Sequence, residues 1–232
     1  MRLFQNESFD GGSFVDRDSA ATFCDLEFRK CYFQGCVLSI TGDPAFRTKV
    51  QNVKLVNCSQ RGGALYSAVL EDVLVDGFKT HGLFQTFGAV FNRVVLKGKI
   101  DRLMLSTSVY QTQGVSEHLQ SFHQANAEYY RNVEWALDIS KAEFKELDVR
   151  GIPGHLIRRD PETQFLVTRE KALQETWRSL DLQESIWSTA FWLLKQSSDQ
   201  STVLIAPKRH AKFQRYLADL KLMQSAGVIE PD

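Results

Sequence analysis

Two basic clusters in the last third of the chain have the residue types that bind anions. The first directly precedes an Asp-Pro dipeptide, which is typical of a turn. The second follows Pro207, which we expect at the start of a helix because a proline loses no hydrogen bond there. Amide groups at a helix N-terminus and nearby basic side chains can together hold a phosphate or the carboxylates of a partner. The predicted binding residues are Arg158, Arg159, Lys208, Arg209 and His210. The alternative is a structural role, as ion pairs or as a solvated helix face.

The sequence carries no common catalytic or metal-binding motif. It has no Gly-x-Ser-x-Gly, no phosphate-binding Gly-x-x-x-x-Gly-Lys-Ser/Thr and no metalloprotease His pair. The cysteines Cys24, Cys31, Cys36 and Cys58 lack the two close pairs of a structural zinc site. We therefore expect no metal and no cofactor, and four reduced thiols of which at least two pack in the core.

Composition excludes several classes of protein. With 232 residues and 43% apolar residues, the chain can bury a sizeable core and is not disordered. Its 28 basic and 28 acidic residues balance, which argues against bulk nucleic-acid binding and against an acidic surface that mimics DNA. No apolar run is long enough to span a membrane, and the N-terminus lacks the layout of a signal peptide. We therefore expect a cytoplasmic protein that does not bind membranes.

Residues 21–40 repeat a pattern every five positions. Each group of five has a small or apolar residue first and a large apolar residue third, beginning at Ala21 and Phe23, and the pattern returns over 137–151. Apolar residues recur every three or four positions in a helix and every two in a plain strand, so a period of five fits neither. It indicates a chain that turns a corner every five residues. Phe4, Phe9 and Phe14 show a weaker form of the same spacing.

Three further pairs of such groups begin at residues 48, 68 and 89, which are 20 or 21 residues apart. Four sides of five residues make 20, so these pairs are predicted to stack directly above one another. Stacked strands lie about 4.8 Å apart. The predicted inward ladders are Val50, Leu70 and Phe91, and Leu55, Val75 and Leu96.

This pattern resembles the pentapeptide-repeat family, whose consensus is roughly Ala-(Asp/Asn)-Leu-x-x. The resemblance is strongest over 21–40 and 137–151 and partial over 48–107. It implies a mainly β fold, a right-handed, four-sided parallel β-helix. Connectors predicted at 41–47, 58–67, 78–88 and 108–136 interrupt the repeats, and the frame slips by one at Gly98. A looser parallel β-helix is the competing fold.

Two segments depart from the five-residue period. Ser116 to Asn132 has helical spacing, so we predict a helical insertion at about 114–132 within a β-helix over 1–152. Residues 153–232 are predicted to form an α+β module that caps the β-helix or docks a partner. Within it we expect a helix over 185–195 buried on several sides, a strand from Thr202, and a last helix from Pro207 to about Ser225.

The predicted function is non-catalytic protein binding. The chain resembles in texture the small bacterial proteins that neutralise a toxin or an enzyme, so an immunity-type or inhibitor role is one form of this hypothesis. The alternative is an enzyme that acts on a carbohydrate or nucleotide at a site between the β-helix and the C-terminal module. Some parallel β-helix enzymes use carboxylates and arginines along one face, and Asp72, Asp76, Arg93 and Arg102 are candidates for that arrangement.

Overall fold

The computed structural model describes residues 1–11, 15–109 and 116–230, with side chains from residue 119 onward in the last range. The chain is mainly β, and a curled parallel sheet forms most of it. The strands are β1 (Arg2–Gln5), β2 (Ser8–Asp10), β3 (Val15–Arg17), β4 (Thr22–Arg29), β5 (Tyr32–Gln34), β6 (Val37–Ile40), β7 (Lys49–Arg61), β8 (Ala64–Tyr66), β9 (Val69–Phe87), β10 (Val90–Asn92), β11 (Val94–Ser106), β12 (Leu137–Arg150), β13 (Ile157–Arg158), β14 (Gln164–Thr168) and β15 (Ser201–Ile205). The helices are α1 (Ser116–Tyr130), α2 (Arg169–Gln174), α3 (Ile186–Gln196) and α4 (Phe213–Ser225), with 3-10 turns at Pro44–Phe46, Gly154–Leu156 and Thr176–Ser179.

The main path of the parallel sheet runs β1-β4-β7-β9-β11-β12-β13. Shorter strands extend it sideways, since β2 pairs with β5, β3 with β6, and β8 with both β6 and β9. Most paired residues in the sheet are therefore about 20 to 27 positions apart in sequence, whereas those of β11 and β12, which α1 separates, are 43 or 44 apart. Strands β14 and β15 form a separate antiparallel pair.

The predicted stacking of the five-residue groups is confirmed. Leu70 on β9 lies opposite Val50 on one side and Phe91 on the other. In the next group, Val75 lies in the same way between Leu55 and Leu96. The predicted slip at Gly98 is also confirmed, because the register between β11 and β9 shifts between Lys97 and Ile100.

Positive φ angles mark the corners of the sheet at intervals of five residues. The series runs through Asp25, Lys30 and Gly35 in one layer and through Asn52, Asn57 and Gly62 in the next. It continues through Asp72, Gly77 and Gly82. Asn, Asp and Gly tolerate the left-handed region best, and they hold most of these positions. The fifth residue of each group therefore makes the corner that the period requires.

Two predicted interruptions are largely strand. Strand β7 continues through Arg61, β8 covers Ala64–Tyr66 and β9 continues through Phe87, so the predicted connectors at 58–67 and 78–88 are wrong over most of their length. The period persists there with polar residues in the third, inward position, where Gln60 and Thr80 are buried. Thr80 is accommodated because its hydroxyl donates to the Gly82 carbonyl at 2.7 Å and its N–H donates to Asp101 at 3.2 Å. An apolar pattern does not detect such groups.

The predicted helical insertion is present as α1, which packs on the outside of the sheet. Phe122 and Tyr130 are buried, and the Tyr130 hydroxyl accepts the Phe91 N–H at 3.2 Å. Residues 114–115 of the predicted insertion, and Phe14 of the predicted N-terminal spacing, fall outside the described residues. Cys31 and Cys58 are buried and all four cysteines are free, as predicted.

The small antiparallel pair joins the sheet to the C-terminal helices. Side chains on β15 alternate, so Val203 and Ile205 belong to the hydrophobic cluster of the large sheet, whereas Leu204 belongs to a second cluster with α3 and α4. Trp177 stacks on Phe191 in that second cluster, with ring centroids 4.6 Å apart. The predicted strand from Thr202 is therefore confirmed. The domain boundary at 152/153 stays a prediction.

The last helix begins later than predicted. Helix α4 starts at Phe213, and Pro207 opens a pair of tight turns instead. The Arg209 N–H donates to the Phe144 carbonyl of β12 at 2.9 Å, and the His210 N–H donates back to Pro207 at 2.9 Å. The first bond ties the segment to the sheet and the second closes a turn, so residues 208–212 form turns and not the start of α4. The predicted cluster of helix N-terminal amides beside Lys208, Arg209 and His210 is wrong.

Candidate functional site

The C-terminal module, here residues 153–230, closes one end of the parallel sheet. Strand β13 pairs with only the first two residues of β12, which leaves the rest of that strand edge to be covered. Three carbonyls, five residues apart, accept hydrogen bonds from the module: Ile139 from Gln164 Nε2 at 3.1 Å, Phe144 from the Arg209 N–H at 2.9 Å, and Val149 from the Thr202 hydroxyl at 3.0 Å. An uncovered strand edge is a template for association with other chains, and the module removes that template here.

Arg209, a predicted binding residue, fastens the module to the sheet. Its guanidinium forms an ion pair with Asp101 at 3.0 Å and donates to the Ile100 carbonyl at 3.0 Å. Asp101 also forms an ion pair with Lys145, whose Nζ lies 3.1 Å from a carboxylate oxygen of Asp101. The side chain of Asp101 is 7% exposed, so this pairing lies largely away from water. With its donors engaged in this way, Arg209 contributes to the junction between module and sheet.

Lys208 and His210 also have partners within the module. Lys208 Nζ lies 2.7 Å from a carboxylate oxygen of Asp160, so the Asp-Pro turn and the second basic cluster meet in space. His210 Nδ1 accepts the Lys212 N–H at 3.0 Å, and its ring packs edge-on against Tyr216 at 5.1 Å. The contact of Lys208 with Asp160 is an ion pair of the kind that the sequence left open as the alternative, whereas the His210 contacts are a hydrogen bond and a ring contact.

Arg158 and Arg159 point to different partners. The Arg158 guanidinium lies 4.1 Å from the ring centroid of Trp135, a cation–π contact on the outer surface of the sheet. Arg159 Nη1 donates to the Gly154 carbonyl at 3.5 Å. The fold brings Lys208 to the Asp-Pro turn, but it does not gather the five predicted residues into one anion site.

The two carboxylates at the junction are held in their charged form. Burial alone raises the pKa of Asp101, but hydrogen bonds from Lys145 and from the Thr80 N–H, together with the charge of Arg209, bring that pKa below its usual value. Burial likewise opposes ionisation of Asp160, but Lys208, the Glu162 N–H and the Thr163 hydroxyl lower the pKa of its carboxyl. Both carboxyl groups therefore favour the ionised form, in which they make the ion pairs of the junction.

A groove of about 670 Å³ lies between β12, the Asp-Pro turn and α4, where the sequence placed the site of the alternative enzyme. Its floor includes the buried Phe165 and the half-buried Phe213 and Leu217. Two carboxylates, Glu143 and Glu162, also line it, and both residues are exposed. A general acid for glycoside cleavage is usually held in an apolar surrounding that keeps it protonated. The groove is as large as a ligand site, but its two carboxylates are exposed and lack the apolar surrounding of a general acid.

The carboxylates and arginines suggested for polysaccharide chemistry form exposed ion pairs along the sheet. Asp72 binds the Arg93 guanidinium through two contacts of 2.6 and 2.7 Å, and that guanidinium lowers the pKa of Asp72. Asp76 lies 3.2 Å from Lys97, and Arg102 lies 3.6 Å from Glu146. Each candidate is thus engaged in an ion pair with a residue of a neighbouring layer of the sheet.

One face of α3 is uncharged, open to solvent and carries two large apolar side chains. Trp192 is 55% exposed and Ile186 is 47% exposed, so the prediction that this helix is buried on several sides is wrong for this face. Ser188 and Thr189 lie between them and are also exposed. The only charged residue of the helix, Lys195, pairs with Glu175. We call Ile186, Ser188, Thr189 and Trp192 the α3 face. The sequence predicted this helix, but it did not separate the open face from the buried one.

Groups of histidine, cysteine and acidic residues that could hold a metal ion are not found in the described ranges. Every helix in the same ranges is too short or too polar to span a lipid bilayer. Comparison with protein-family models, curated proteins and solved structures finds no match to this chain.

Proposed function

We propose that the protein is a non-catalytic binding module that docks another protein on its α3 face. The observation that carries this proposal is the exposed Trp192, 55% accessible, on a helix face without charge. Protein interfaces are depleted of charged residues at their centre, and tryptophan is enriched among the residues that dominate binding energy. The partner that fits would present an apolar pocket with an uncharged rim.

The surroundings of the α3 face support this choice over other surfaces. The outer surface of the sheet carries a series of ion pairs between neighbouring strands, such as Asp72 with Arg93. On the other side of α3, Trp187 and Phe191 are buried in the module, so the helix is held in place. A rigid helix that presents one large aromatic side chain loses little conformational entropy when it binds.

We further propose that the curled sheet winds as a right-handed, four-sided β-helix of the pentapeptide-repeat type. The stacking interval of 20 or 21 residues and the positive φ at every fifth residue support this winding. An immunity-type or inhibitor protein, which binds a toxin or an enzyme, is the form of binding module we favour. Its partner would then be a single protein bound at fixed stoichiometry.

The test is capture of partners from the native host by the tagged protein, with matched variants. Trp192→Ser removes the proposed anchor, and Leu83→Ser removes an apolar side chain of similar exposure, 43%, from the sheet. We expect one stoichiometric protein to be retained by the wild type and by Leu83→Ser but lost from Trp192→Ser. Loss from both variants, or from neither, contradicts a site at α3.

The groove beside Glu143 and Glu162 favours the alternative, an enzyme that acts on a carbohydrate or nucleotide. A thermal-shift screen against oligosaccharides and nucleotides tests it directly. A ligand that raises the melting temperature of the wild type, and no longer does so with Lys221→Glu in the groove wall, would favour this alternative over the binding module.

A further inference from the structure

The two ends of the parallel sheet differ in how their backbone groups are covered. At the C-terminal end the module donates to the carbonyls of β12, as described above. At the other end, β1, β2 and β3 pair with β4, β5 and β6 on one side only, and within the described residues no strand pairs with their outer side. We call β1, β2 and β3 the N-terminal edge. Its outer N–H and C=O groups form a template for another strand.

Exposed apolar side chains are concentrated at the N-terminal edge. Met1 is 57% exposed, Leu3 is 52% exposed and Val15 is 56% exposed. In the described part of the sheet beyond residue 20, Leu83 is the large apolar side chain with comparable exposure on a strand. An uncovered strand edge flanked by apolar side chains is an association surface.

We infer that the N-terminal edge binds the N-terminal edge of a second copy of this chain, giving a two-fold dimer. Rotation about a two-fold axis in the plane of this edge reverses the strand direction, so that β1 of one copy runs antiparallel to a strand of the other. A head-to-tail arrangement would need a free edge at the opposite end, and the C-terminal module covers that edge. The assembly therefore closes as a dimer and does not grow into a filament.

The charges of the N-terminal edge suit self-association. Within β1 to β3 and the residues that flank them, two described side chains are basic, Arg2 and Arg17, and four are acidic, Glu7, Asp10, Asp16 and Asp18. A two-fold axis between β1 and β2 places the β1 side of one copy, with Arg2, over the β2 side of the other, with Glu7 and Asp10. Both signs on one edge can thus complement each other across the axis, whereas an edge of a single sign would repel its copy.

The area available is close to what a stable dimer needs. At about 3.3 Å per residue, a side of five residues spans roughly 16 Å, and outward side chains widen the edge to about 26 Å. If the chain winds on four sides, as proposed above, the edge offers about 700 Å² per copy. Specific interfaces bury about 800 Å² on each partner. The inference depends on this winding but not on the α3 face.

The test is the solution mass of the full-length protein by light scattering across concentrations from nanomolar to about 100 micromolar. We expect a dimer of twice the 26.5 kDa chain mass. Leu3→Asp removes an apolar contact and places a carboxylate over the β2 side of the other copy, with Glu7 and Asp10, and Val15→Asp removes the exposed apolar side chain of β3. Each should therefore raise the dimer dissociation constant at least tenfold. Leu83→Asp, at a similarly exposed position away from the edge, should leave it unchanged. A wild-type protein that is monomeric throughout overturns the inference, and so does an equal effect of all three substitutions.

Hydrogen exchange gives a measurement that does not depend on variants. Amide protons of Arg2–Gln5 should exchange more slowly at concentrations where the dimer forms, while those of β7 should not change with concentration. Exchange of the β1 amides that is the same at all concentrations would contradict pairing at this edge. Because Trp192→Ser leaves the N-terminal edge intact, its dimer mass separates this inference from the proposed function.

Discussion

Replacing Gln164 tests whether the C-terminal module is held to the sheet by backbone capping. Gln164 is 1% exposed and makes two hydrogen bonds, accepting the Asp160 N–H at 2.9 Å and donating to the Ile139 carbonyl at 3.1 Å. Gln164→Met keeps the length and volume of the side chain but leaves both groups without this partner. An unsatisfied buried group costs about 1–3 kcal/mol, and the partly buried Asp160 N–H adds about 1 kcal/mol. We expect a loss of about 2–4 kcal/mol in the free energy of unfolding.

Urea unfolding followed by two probes measures this loss. Tryptophan fluorescence reports mainly on the module, which holds Trp177, Trp187 and Trp192, and circular dichroism at β-sheet wavelengths reports on the sheet. If the module is loosened first, the fluorescence transition of Gln164→Met moves to lower urea than the dichroism transition. Gln200→Met, at an exposed glutamine, is the control and should change stability by less than about 0.5 kcal/mol. A Gln164→Met variant as stable as this control would refute the capping argument.

The other predictions concern the ion pairs at the junction and one corner of the sheet. Arg209→Met should destabilise the protein by about 2 kcal/mol in urea unfolding, because it removes a donor from the Ile100 carbonyl and one of the two cations that pair with the buried Asp101. Lys208→Met should cost less than about 1 kcal/mol in the same assay, since its ion pair is more exposed. The folded-state pKa values of Asp101 and Asp160 lie below their unfolded values, so their contribution to stability is complete above about pH 4 and is lost as the pH falls through the folded values. Replacing both Asp101 and Asp160 with asparagine should make the melting temperature depend less on pH below about pH 4. An unchanged dependence of the melting temperature on pH would contradict the role given to these two carboxylates. Lys30→Gly should stabilise the protein by about 0.5 kcal/mol in urea unfolding, because Lys30 has a φ of 54° that glycine adopts without strain. A loss of stability would show that the corner tolerates lysine fully.

The sequence predicted the stacking of the sheet well because that stacking depends on large inward side chains. Val50, Leu70 and Phe91 recur at intervals of 20 or 21 residues, and the register predicted from those intervals is the one observed. The same criterion failed where Gln60 and Thr80 occupy inward positions, because a polar side chain is buried there only if particular partners accept or donate hydrogen bonds. Those partners belong to neighbouring strands and cannot be identified from local spacing.

The candidate site was less predictable for a related reason. Arg209 has the sequence context of an anion-binding residue, but its function in the fold depends on Asp101, more than 100 residues earlier in the chain. The open face of α3 was missed because apolar residues lie on almost all sides of that helix, so its sequence does not distinguish a buried face from an exposed one. The exposure of Trp192 becomes visible only when the positions of β15 and α4 are known.

The C-terminal module covers one end of the sheet, and this affects which surfaces of the chain stay open to other molecules. A parallel sheet built from repeated groups has two edges, and each edge must be paired, covered or left as an association surface. Here the module covers the C-terminal edge through three donors that match carbonyls five residues apart, so the corner spacing of β12 also sets the position of the module. The α3 face is carried by that module and is therefore oriented by the sheet. If the α3 face binds a protein and the N-terminal edge joins two copies, as proposed above, each copy of the dimer would bind one protein and the two binding sites would lie at opposite ends of the dimer.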